Sequence, residues 1–238
     1  MSEKQFRVPG VIGGLGPEAT LDFFAKLLEK TAAKSDQEHL HVIINNNPHV
    51  PNRNEAIAGR GPSPGPALAA NALALKAAGA DFLVMVCNAA HAFQADIEAV
   101  CDLPLLSIIE VTVKASLLHK PRVVGVLGSS ATLTTHLYDQ AFLKHGIKTL
   151  SPQDTAQDHF MDLLYQIKAG HKENCRLDMQ HIAHDLIAKG AEVIIAGCTE
   201  VPLVLSPQDL PVPLISSTDS LVEATILYAR TEGSTSSA

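Results

Sequence analysis

Residues 79–87 read G-A-D-F-L-V-M-V-C and residues 190–198 read G-A-E-V-I-I-A-G-C, so a Gly-Ala-acid start twice leads into an apolar run that ends on cysteine. Each run is the length of a buried strand. Neither alternates apolar with polar residues, which is the pattern of a parallel strand covered on both faces. Two further blocks repeat around them. R-V-P-G-V-I-G at 7–13 answers R-V-V-G-V-L-G at 122–128, and L-P-L-L-S at 103–107 answers V-P-L-I-S at 212–216. The three pairs keep one order at offsets of 115, 111 and 109 residues, so the chain states one supersecondary pattern twice.

The reading that follows is an α/β protein made of two pseudo-symmetric parallel-sheet halves, residues 1–119 and 120–238, with a cleft between them. Strands are predicted at 10–13, 42–45, 82–87, 105–108, 123–127, 193–196 and 214–216. Alanine-rich segments of helical period lie between them, at 17–34, 67–78, 92–100, 133–145 and 176–188. The run G-R-G-P-S-P-G-P at 59–66 reads as a loop. The closing T-E-G-S-T-S-S-A reads as a frayed tail, and the helix before it is free to cross over to the first half.

Composition narrows the function classes. Of 238 residues, 46% are hydrophobic and 18% charged, within the range of a globular protein that buries a sizeable core. The net charge of -7, with basic residues scattered, gives no footprint for nucleic acid or an acidic membrane surface and points to a small-molecule role. The N-terminal M-S-E-K-Q-F-R shows no signal-type apolar region, and nowhere do about 18 apolar residues follow one another. A cytoplasmic location is expected, where Cys87, Cys101, Cys175 and Cys198 are thiols.

In open α/β sheets the ligand crevice lies beyond the carboxyl ends of the strands, and Cys87 and Cys198 each stand at such an end. Taken singly, either cysteine reads as a small buried hydrophobe. Zinc is disfavoured because the cysteines are not closely paired and His91 is the only histidine near them in sequence. As a matched pair they suit different chemistry. Racemisation at an acidic carbon removes a proton from one face and delivers one to the other, and a thiol near its unperturbed pKa of about 8.5 serves either role. Asn88 and Thr199 follow the two cysteines directly and can cap a helix or grip a carboxylate. Cys101 and Cys175 have no matched partners and read as packing.

Further motifs carry a resemblance. They are G-G-L-G-P-E-A-T at 13–20, D-Q-E-H at 36–39, N-N-P-H-V-P-N-R at 46–53, C-N-A-A-H-A-F at 87–93, K-A-G at 168–170 and G-C-T-E-V at 197–201. Together they resemble the cofactor-independent aspartate/glutamate racemase family, most closely its aspartate racemase branch, over nearly the whole chain. The resemblance implies two pseudo-symmetric α/β domains, no pyridoxal phosphate, no metal, and commonly a homodimer. It implies Cys87 and Cys198 as opposed proton donor and acceptor. Arg53 and Lys168 fall on the family's active-site arginine and lysine, where an arginine can hold a side-chain carboxylate through paired hydrogen bonds. Asn88, Thr132 and Thr199 fall on positions that bind the α-carboxylate. Glu200 is placed to orient a thiol partner or cap a helix, His91 to tune Cys87 or serve as a structural cap, and Gly13 to Gly16, Gly14 among them, to form a turn at the cleft.

One position departs from the family pattern. Ala89 stands where members commonly carry a threonine, and loss of one hydrogen bond to a carboxylate removes about 1.5–3 kcal/mol. Ala89 therefore bears on substrate choice more than on proton transfer. The expected substrate is aspartate, with glutamate or another acidic amino acid beside it. Related dicarboxylate isomerases and decarboxylases, and a non-catalytic acidic-ligand binding protein, are the alternatives.

Overall fold

The repeated blocks form strands of two parallel sheets, the first two pairs at the centre of each sheet and the third pair at one edge. A computed structural model describes residues 6–231. Its first half runs β1 (Pro9–Gly13), α1 (Pro17–Lys30), β2 (Ile43–Asn46), α2 (Arg53–Ile57), α3 (Gly65–Ala77), β3 (Phe82–Met85), α4 (Gln94–Glu98), β4 (Leu105–Leu106) and α5 (Ile108–Leu117). The second runs β5 (Val123–Leu127), α6 (Ser130–Thr134), α7 (Leu137–Leu143), β6 (Lys148–Leu150), α8 (Asp154–Lys168), α9 (Cys175–Ala188), β7 (Val193–Ala196), β8 (Leu214–Ser216) and α10 (Ser217–Arg230). The strand orders are β2-β1-β3-β4 and β6-β5-β7-β8, parallel throughout, so the second sheet repeats the first strand for strand. The α/β architecture and the repeated layout read from the sequence are both present.

Strand pleating divides the apolar residues between three cores, because successive side chains leave opposite faces. Val11, Phe82, Val84, Val124, Val126, Val193 and Ile195 face one shared core that joins the two sheets through α1, α5, α7 and α10. On the far face of the first sheet, Ile12, Leu83 and Met85 pack on α3. On that of the second, Ile194 and Ala196 pack on α8 and α9. Fully burying one such side chain contributes about 1.5–3 kcal/mol, so the shared core fixes the halves firmly against each other. Helix α10 lies against α1 and α5: Lys26 and Lys30 pair with Asp219, and the Phe82 and Tyr228 rings meet at 4.8 Å between centroids.

Element ends differ from the sequence reading for local reasons. The third strand stops at Met85, and Val86 and Cys87 already belong to the loop beyond it. Ser107 caps α5 by accepting from the Glu110 amide, so the 105–108 segment is strand for only two residues. The single helix predicted at 133–145 breaks at His136, whose φ of 53° is left-handed. The 17–34 helix ends at Lys30, with Ala32 also left-handed. Gly65 and Pro66, read as loop, begin α3. The tail residues 232–238 and the first five residues lie outside the described residues. Among those described, no helix is long and apolar enough to cross a membrane.

Candidate active site

Cys87 and Cys198 sit just past the carboxyl ends of the equivalent strands β3 and β7, and both line one small chamber between the halves. Asn88, Ala89, Thr132, Thr199, Glu200, Arg53 and Lys168 line the same chamber. It measures about 30 Å³ and adjoins an outer space of about 420 Å³, which shares Arg53, Lys168 and Glu200 with it and also touches Gly14 and Gly16. His91 lines neither.

The two thiols have unlike surroundings. Glu200 stands two residues after Cys198, is 4% exposed, and accepts the Cys198 thiol proton in a hydrogen bond to Oε2 at 2.9 Å. The Thr199 hydroxyl also donates to that oxygen, at 3.3 Å, while Oε1 pairs with Lys168 at the end of α8. Burial and the Glu200 carboxylate together push the Cys198 thiol well above its ordinary range, and Lys168 offsets this only in part. Burial works to lower Lys168, but Glu200 and the thiols outweigh it and leave the ammonium raised. At the equivalent place after Cys87 the chain has Ala89, so no carboxylate adjoins that position in sequence.

Asn88 is held from the second half. Its Nδ2 donates to Ser217 Oγ at 3.0 Å, and Tyr138 donates its hydroxyl to Asn88 Oδ1 at 2.7 Å. The Asn88 side chain therefore keeps one N–H for a ligand. Tyr138 is buried, and burial raises its phenol so that it remains a donor. Thr132 shares a hydrogen bond of 3.1 Å with Ser129, the residue that caps α6, and their two hydroxyls retain one proton for a ligand. Arg53 opens α2 and gives three of its five N–H groups to backbone: Nη1 to the Val50 and Pro51 carbonyls, Nη2 to that of Leu15 at 2.6 Å. At most two remain for a carboxylate.

His91 is a structural element of the Cys87 loop. The Ile108 amide can only donate, so its 3.1 Å bond fixes Nε2 as an acceptor, and Nδ1–H must donate to the Cys87 carbonyl at 2.9 Å. Burial lowers its pKa to about 4, so the ring is neutral near pH 7 and bonds the cysteine's backbone. Gly14, at φ 81°, makes the turn at which Asn47 backbone crosses closely. Gly16 acts differently. Its backbone is extended, but a Cβ there would lie 2.5 Å from Glu200 Oε1 and 3.3 Å from Lys168 Nζ.

Sequence reasoning did not single out Asn54, Ser129, Tyr138 or Ser217, and it read Gly16 only as part of the turn at the cleft. Asn54 Oδ1 accepts from the Ala131 amide at 3.0 Å and so joins the halves at the chamber. The S-S-A-T run offered a signal for Ser129, as a hydroxyl three residues before Thr132. Tyr138 and Ser217 reach the site only through tertiary packing. No group of three or more His, Cys, Asp or Glu side chains that could hold a metal ion occurs among the described residues.

The model of the Asp/Glu/hydantoin racemase family matches residues 12–225. The chain belongs to that family. This racemase-family member is 26% identical to the broad specificity amino-acid racemase RacX of Bacillus subtilis over 91% of its own length and 96% of the relative's. Its structure is similar to that of Picrophilus torridus aspartate racemase, with a TM-score of 0.84, 29% identity and 94% of each chain covered. The glutamate racemase isoform RacE1 of Bacillus anthracis, at 18% identity, TM-score 0.66, and coverage of 94% of this chain and 82% of its own, shares the fold. The racemase family and the two-domain α/β fold expected from the motifs are thus found, and the chain is an isomerase of the racemase class.

Proposed function

We propose that this racemase interconverts the enantiomers of aspartate, with glutamate as a second substrate, through Cys87 and Cys198 and without pyridoxal phosphate or metal. One observation carries the reading: two thiols at the carboxyl ends of equivalent strands line a single chamber. A thiolate on one face takes the α-proton and becomes a thiol. The thiol on the other face gives its proton to the same carbon and becomes a thiolate. The net result is inversion with no change in proton count.

The α-proton is far less acidic than a thiol, so the site must stabilise enediolate charge. Two donors are free to do so, one Asn88 N–H and one hydroxyl of the Ser129–Thr132 pair. Thr199, whose proton goes to Glu200, contributes through that carboxylate. Arg53 is the candidate for the substrate's side-chain carboxylate through its remaining N–H groups, with Lys168 beside it. Burial and the Glu200 carboxylate favour the thiol form of Cys198, which suits it to the part of proton donor. A homodimer in the cytoplasm belongs to the same reading. Chiral chromatography of L- and D-aspartate and glutamate after incubation with the enzyme tests it, and the absence of racemisation of both refutes the substrate assignment.

A further inference from the structure

Two groups of side chains line the candidate site, and one of them reaches further out. Cys87, Cys198, Asn88 and Thr132 line the inner chamber alone, whereas Arg53, Asn54 and Lys168 line both the chamber and the outer space that adjoins it. With the α-carbon between the thiols, the side chain of a substrate points toward the second group. A carboxylate there offers about four lone-pair sites, and each one left unpaired away from water costs free energy.

The two cations cannot fill those sites alone. Arg53 keeps at most two N–H groups after its bonds to the Leu15, Val50 and Pro51 carbonyls, and Lys168 is paired with Glu200. Asn54, the next residue of α2, has donors left over. The Ala131 amide can only donate, so its 3.0 Å bond fixes Oδ1 as the acceptor and settles which way the Asn54 amide is turned. Nδ2 has no hydrogen-bond partner among the described residues, and it is not sealed from solvent. Both its N–H groups are thus free for a bound molecule. Helix α2 packs on α6 and on the Ala89–Phe93 turn, so the amide is held from both halves. Being neutral, it adds donors without disturbing the Glu200 and Lys168 charges that bear on Cys198.

We propose that Asn54 is a specificity-determining residue whose Nδ2 donates to the substrate's side-chain carboxylate beside Arg53. The proposal rests on the two-thiol, acidic-substrate reading above, which places the α-carbon in the inner chamber.

Steady-state racemisation of L-aspartate by the unmodified enzyme, Asn54→Ala and Asn54→Asp, with thermal melting of each, tests it. Asn54→Asp keeps an oxygen for the Ala131 amide but loses the N–H groups, and Asn54→Ala loses them without adding charge. Together the two variants separate contact with substrate from the tie between the halves. A contact with the non-reacting end of a substrate is made equally in the ground and transition states, so its loss raises KM and spares kcat. In both folded variants KM is expected to rise about tenfold or more, the worth of one hydrogen bond to a charged group, with kcat changed by less than about threefold. An unaltered KM in folded Asn54→Asp overturns the contact, even if Asn54→Ala does not fold. A fall in kcat at unaltered KM in Asn54→Ala overturns it too, because that pattern marks a tie that only positions the chamber. If the unmodified enzyme racemises neither aspartate nor glutamate, the substrate reading fails and the proposal falls with it.

Discussion

The Cys198 thiol donates to Glu200 across 2.9 Å, and the position equivalent to Glu200 in the first half is Ala89. The duplicated fold thus carries an unduplicated charge. An anion beside Cys198 stabilises its protonated form, and a neutral amide in place of the carboxylate removes that effect. In Glu200→Gln, Lys168 also loses its partner and its charge favours the Cys198 thiolate. Both changes lower the Cys198 pKa. The alkaline limb of kcat/KM, where the donor thiol is lost, should move to lower pH by about one unit or more. An unmoved limb would show that Glu200 does not set the protonation of Cys198.

Gly16 leaves the space that the Glu200–Lys168 pair occupies. Its extended φ of 179° suits alanine, so Gly16→Ala introduces a clash without backbone strain. The added carbon would displace Glu200 Oε1, and with it the carboxylate that binds Cys198. A displacement of about 1 Å at such a group costs on the order of 100-fold in rate. Kinetics and thermal melting of Gly16→Ala should show kcat reduced with the melting temperature little changed.

Tyr138 holds Asn88 in place from the opposite half. Tyr138→Phe removes the hydroxyl that satisfies Asn88 Oδ1 but keeps the ring, which lies against Gly197 just before Cys198. An unsatisfied buried acceptor costs about 1–3 kcal/mol, and the Asn88 amide becomes free to turn. Urea denaturation should show a loss of that size and steady-state assays a raised KM. In an Asn88→Ala background the same substitution should change little, since the partner is gone.

His91 confers acid sensitivity. Its folded pKa of about 4 lies below the ordinary 6.5, so between these values the unfolded chain binds the proton more readily than the folded one. Stability is complete above about pH 6.5 and is lost as pH falls toward 4, by an upper limit of about 3 kcal/mol. Denaturant midpoints measured across this range should decline for the unmodified protein. His91→Asn, which does not titrate there, should decline less.

The duplicated frame was legible because central parallel strands must be apolar on both faces, which leaves runs such as F-L-V-M and V-I-I-A that can be matched by eye. The edge strand Lys148–Leu150 escaped notice: K-T-L is short and part-exposed and carries no such run. The break at His136 has no glycine or proline to announce it. At the site, Cys87 and Cys198 were visible by repetition and Glu200 by adjacency to Cys198. The Tyr138–Asn88 bond spans 50 residues and Gly16 faces Glu200 across the cleft, and neither pairing leaves a local pattern. The three backbone carbonyls on Arg53 were likewise unreadable, since they depend on how the 47–53 loop folds back over Leu15.

The central claim is that two opposed thiols share the proton transfer. Its most direct test is net racemisation of L- and D-aspartate by Cys87→Ser and Cys198→Ser, followed by chiral chromatography alongside the unmodified enzyme. Loss of net racemisation in both folded variants is the predicted result. Racemisation at an undiminished rate in either one would contradict the two-thiol mechanism.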